Sequence, residues 1–164
     1  MHEFLLIRWL DNGPAVQRLL DVMQHLKTYV AAVREKKVPD PKTKSFEAIE
    51  RATQDPTMEV KLHFILSLTQ DLEFFLKRHQ TDAPMIPFVA KDLFDVLTSI
   101  LRRFLTEEFV AKCSPSNIHS IEMDKSSKQL EWRDIDLGIA ANKSLKLLKK
   151  AKIISDSQMM DVKM

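Results

Sequence analysis

The chain has 164 residues, enough for one domain with an enclosed core, and 45% of them are hydrophobic, which excludes a disordered polymer. Its formal net charge is +2 with 29% charged residues, a balance that neither demands nor forbids a polyanionic partner. One cysteine excludes an internal disulfide and fits a reducing compartment, nuclear or cytoplasmic. Phe4–Ile7 is too short for the core of a secretion signal, and no window of about 18 uncharged apolar residues exists to cross a membrane. We therefore expect an intracellular chain with no membrane partner. Two glycines cannot furnish the hairpin turns of a sheet protein, so long helices joined by a few breaks are expected.

In chain order, Asp11-Asn12-Gly13 is a polar break, with Asp11 or Asn12 placed to cap a helix that begins at Pro14. Val16, Leu19, Leu20, Met23, Leu26, Val30 and Val33 give that helix one apolar stripe, and Val38-Pro39-Asp40-Pro41 stops it. A shorter helix is predicted over 45–53, with Phe46, Ile49 and Ala52 on one side. Asp55-Pro56 opens the next, over 58–79, which carries apolar residues on two stripes. One runs through Leu62, Ile65 and Leu72, the other through Phe64, Leu68 and Phe75. A helix apolar on two sides needs cover on both, which places it at the centre, with Leu68 and Phe75 buried.

After a loop over 81–87, residues 88–105 repeat the helical pattern through Val89, Leu93, Val96, Leu97, Ile100, Leu101 and Phe104. Short connections favour antiparallel neighbours. Periodicity fails over about 113–135, read as an irregular arm laid over the bundle and anchored by Ile118, Ile121, Leu130 and Trp132. A basic helix is predicted over 139–150 with Ala140, Leu145 and Leu148 as its apolar side, and Ser155-Asp156-Ser157-Gln158 is a capping box for one more. The fold class is all-α: an irregular antiparallel bundle of four to six helices in a single domain, with a core over 14–112 and the arm and basic C-terminal helices over 113–164.

Arg8-Trp9-Leu10 ahead of Pro14-Ala15-Val16, Asp55-Pro56 before an apolar helix, Gln80-Thr81-Asp82-Ala83-Pro84, and Asp136-Leu137-Gly138 before the basic helix follow one another along the chain. In this order they resemble the helical middle of hAT-like, BED-zinc-finger-associated transposase derivatives. The resemblance implies that the chain is a piece of a longer protein, inserted in a ribonuclease-H-like domain. That domain's three metal-binding carboxylates would then lie before residue 1 and beyond residue 164. A helix capping box so close to Met164 fits the same expectation.

The expected function is therefore non-catalytic: a protein-interaction or weakly DNA-contacting helical module, with self-association through apolar helix faces as one form of it. The alternative is a helical adaptor of unrelated ancestry that binds a partner helix. The candidate nucleic-acid contacts are Arg8, Trp9, Lys143, Lys146, Lys149 and Lys150. In the resembling family a tryptophan in this region is associated with DNA ends, and an aromatic face can stack on an unpaired base. Trp9 can equally anchor the first helix with Leu5 and Leu10, and Arg8 can meet a neighbouring carboxylate. The lysines can meet phosphates or simply form a solvated face. No catalytic residue, metal site, cofactor or small-molecule substrate is expected. Glu107-Glu108 and Asp134/Asp136 look like solvated acids at element ends, and Cys113 and His119 lack partners at zinc-ligand spacing.

Overall fold

The computed structural model describes residues 3–81, 84–121 and 128–163, with side chains from Asn12 onward. Of the described residues 69% are helical and none lies in a strand. The helices are α1 (Glu3–Arg34), α2 (Lys44–Gln54), α3 (Met58–His79), α4 (Ile86–Leu101), the single turn α5 (Glu107–Val110), α6 (Ile139–Lys150) and α7 (Asp156–Lys163). The chain is all-α, and no described helix is long and apolar enough to cross a membrane.

Helix α3 is the axis, flanked by α1, α4 and α6. Paired residues show that all three flanking helices run antiparallel to it. Lys27 of α1 bonds Glu59 near the start of α3, while Gly13 lies against Thr69 further along. On α4, Asp92 meets Arg78 and His79, and Arg103 just past its end reaches Asp71. For α6, Gly138 at its start abuts Ser67, while Ala141 and Leu145 share a core cluster with Val60. Ile135, Leu137, Ile154 and Met159 complete that cluster, with Phe64, Phe104, Leu130 and Trp132 against it. A second, smaller core joins α1 to α2 through Val30, Val33 and Phe46. There Tyr29 meets Phe46 edge to face at 5.9 Å, and Arg34 bonds Glu50 at 2.8 Å.

The helix ends follow local chemistry. The Thr43 hydroxyl accepts from the Phe46 amide and caps α2. Asp55 accepts from both the amide and the hydroxyl of Thr57 and receives Lys61 Nζ at 2.7 Å. Burial opposes its ionisation, but the hydrogen bonds from Lys61 and Thr57 outweigh that and hold its carboxyl below the ordinary value. The capping box of α7 is present in both directions: Ser155 N donates to Gln158 Oε1, and Gln158 N to Ser155 Oγ. Helices α1 and α6 close with the same paired bonds, Lys37 N to Ala32 O with Lys36 N to Val33 O, and Ile153 N to Leu148 O with Lys152 N to Lys149 O. The left-handed residue in each is a lysine, Lys36 (φ 58°) and Lys152 (φ 57°), where glycine is the usual choice.

The structure corrects several expectations. There is no break at 11–13. Helix α1 begins at Glu3 and carries Pro14 inside it, so Asp11 and Asn12 are not caps. Proline removes one backbone hydrogen bond, and the seat of this stretch on α3, with Gly13 against Thr69, supports the helix through it. Helix α4 stops at Leu101. Tight turns follow, and Leu105 pairs with Gln129 across backbone bonds from Thr106 N to Lys128 O and Leu130 N to Phe104 O. On α6 the buried alanine is Ala141, four residues before Leu145, and Ala140 is exposed. Leu68 and Phe75 are half-buried: the buried residues of α3 are Val60 and Leu62 in its first turns, where α6 and α1 cover it. Ile49 of α2 and Ile65 of α3 are exposed.

Candidate functional site

Of the nucleic-acid candidates, Arg8 and Trp9 lie within α1, and their side chains fall outside the described residues. All four lysines are exposed on α6, but one of them is paired. Lys143, Lys146 and Lys150 sit three, four and seven residues apart on one face. Lys149 flanks that face and pairs with Asp156 of α7 at 2.6 Å. The exposed face of α6 also holds Ile139, 91% exposed, and Leu147, 57% exposed.

A cleft of about 640 Å³ lies between α3, the end of α4 and the start of α6. Arg103 organises it. Its side chain is only 10% exposed, and it donates to Asp71 Oδ2 (2.8 Å), Ser67 Oγ (2.9 Å) and the Asp136 carbonyl (3.0 Å) while lying over the Phe64 ring. Asp136 in turn accepts from the Gly138 amide and the Asn142 side chain, so a carboxylate of the chain itself occupies the positive end of α6. Arg103 and Asp71 satisfy each other here, which makes this part of the cleft a joint of the fold. Gly138, at φ +91°, fits because a Cβ would stand 2.5 Å from Ser67 Oγ. Lys163 of α7 closes the same region by donating to the carbonyls of Ile135 (2.7 Å) and Arg133 (3.2 Å). Burial pushes its ammonium below the ordinary lysine value, against the pull of Asp136 and Asp134.

The most unusual surface belongs to α4, which half-buries Val89, Val96 and Ile100 but leaves a second apolar face exposed. Its one buried residue is Thr98, and Asp92, 13% exposed, is turned inward to Arg78 (3.2 Å) and His79 (3.1 Å). Ile86, Ala90, Leu93 and Leu97, spaced by four, three and four residues, fall on one face, and all are exposed: Ile86 86%, Leu93 41%, Leu97 36%. Phe74 of α3, 73% exposed, borders the groove between α3 and α4. Sequence reasoning missed this surface because outward and inward apolar stripes have the same period. The one hint was His79 and Asp92 facing each other across the 81–87 loop.

Among the described residues no three His, Cys, Asp or Glu side chains are grouped to hold a metal ion. Cys113 is a half-buried free thiol against the Phe109 carbonyl. No protein-family model matches the chain, and neither does any curated protein or solved structure.

Proposed function

We propose that this chain is a non-catalytic interaction module that receives a partner helix on α4. The observation that carries the reading is the outward seam of Ile86, Ala90, Leu93 and Leu97 on a helix whose inward side includes a salt-bridged aspartate. Water-exposed large aliphatics in a continuous seam are costly unless a partner covers them. The spacing is that of a helix-in-groove or coiled-coil contact, where knobs recur every three and four residues. The partner is then an amphipathic helix with its own apolar seam. The landmarks shared with hAT-like transposase derivatives supply an origin for such a module, as the helical insertion of a larger protein.

A photo-crosslinking amino acid placed at Leu93 or Leu97, in cells, tests this. A discrete adduct is expected from both positions and none from the exposed control Glu131. Failure to crosslink at either seam position, or an equal adduct at Glu131, would overturn the reading.

A further inference from the structure

We infer that the exposed face of α6 is a docking surface for an anionic lipid bilayer. Leu147 is ringed on its own helix by cations: Lys143 four residues before it, Lys150 three after, and Lys146 adjacent. Ile139 stands one turn before Lys143 and is almost fully exposed. The loop after the helix adds Lys152 and Ile153, the latter 55% exposed. The opposite side of α6, Ala141 and Leu145, is locked in the core, so this orientation is set by the fold.

The mixture selects the partner. A nucleic-acid backbone rewards lysines but gives exposed isoleucine and leucine nothing, and no aromatic residue on this face can stack on a base. A partner helix needs a continuous apolar seam, which α4 has and which lysines interrupt here. A bilayer interface takes both kinds of group at once. Aliphatic side chains enter the acyl boundary, while lysine stems lie along it and carry their ammonium groups to lipid phosphates and carboxylates. Lying on a bilayer requires no membrane-crossing helix. The α6 face also shares no residue with the α4 seam, so the two readings stand or fall separately.

The test is co-sedimentation of the full chain with vesicles of phosphatidylcholine alone and vesicles in which about a third is phosphatidylserine. Binding is expected only to the latter and is weakened by salt. Combined Lys143→Gln, Lys146→Gln and Lys150→Gln should reduce it to the phosphatidylcholine level. Combined Ile139→Ser and Leu147→Ser should weaken it about tenfold with charge unchanged. An environment-sensitive dye on Leu147→Cys, in a Cys113→Ser background, should shift to the blue on binding. Circular dichroism of every variant should match the parent, since the changed side chains are exposed. Absent or composition-independent binding would overturn the inference. So would binding that ignores the Ile139/Leu147 change and is matched by duplex DNA, which would mark a general polyanion surface.

Discussion

Gly138→Ala is the sharpest probe of how α6 is held to α3. The added methyl would stand 2.5 Å from Ser67 Oγ, 2.8 Å from Ser67 Cβ and 3.2 Å from Arg103 Nη2, at a φ of +91°. Two costs add. With ψ at 156°, this is a backbone region adopted almost only by glycine, and another residue there costs about 1–3 kcal/mol. The overlap is with a Cβ on the α3 backbone as well as a hydroxyl, so a rotamer change cannot remove it, and overpacking of this kind costs about 1–3 kcal/mol. The sum, about 2–6 kcal/mol, is a large share of the roughly 5–15 kcal/mol that holds a domain. Urea melts followed by circular dichroism should show the midpoint fall with little change in slope. Adding Ser67→Gly should recover the steric part, less about 1 kcal/mol for glycine inside a helix and about 1 kcal/mol for the lost Arg103–Ser67 hydrogen bond, and leave the backbone part. A Gly138→Ala protein as stable as the parent would refute the α3–α6 register.

Four further outcomes are expected. Arg103→Met should cost about 2–4 kcal/mol in a denaturant melt, because Asp71, Ser67 and the Asp136 carbonyl lose one shared donor. Asp71→Asn should be milder, its carboxylate being 38% exposed. Lys36→Gly and Lys152→Gly should each raise stability by about 0.5–1 kcal/mol in thermal melts, since both residues hold left-handed backbone that glycine adopts without strain. Asp55 has a folded-state value below the ordinary 3.8, so its contribution is present above 3.8 and is lost as pH falls through the folded value. Asp55→Asn should therefore flatten part of the acid limb of a stability–pH curve, and an unchanged limb would contradict the Asp55–Thr57–Lys61 cluster.

The exposed faces of α4 and α6 differ in chemistry. The α4 seam is apolar and continuous, and α6 alternates lysine with aliphatic side chains. Lys149, the least available of the α6 lysines through its pair with Asp156, is a fitting substitution control for both experiments.

The sequence by itself determined what depends on neighbours a few residues apart. Scarce glycine and apolar residues at three- and four-residue spacing specified an all-helical chain. They placed α3 and α6 at their observed bounds, because a helix is built from local bonds and its stripe is written in its own period. The Ser155–Gln158 box was legible for the same reason: both partners lie within one turn. Tertiary structure decided what depends on distant partners. Pro14 reads locally as a helix start, yet α1 passes through it along α3. Leu105 continues a helical stripe, yet its backbone pairs with Gln129. The period of α4 shows that one side is apolar but not which way that side points. The inward ion pair of Asp92 with Arg78 and His79 exists only once the helices meet, and with it Val89 and Val96 are half-buried while Ile86, Leu93 and Leu97 stay exposed. Lys143 and Lys149 are both exposed lysines of one helix, and only the fold brings Asp156 beside Lys149. Spacing fixes which residues share a face, and only packing fixes what that face meets.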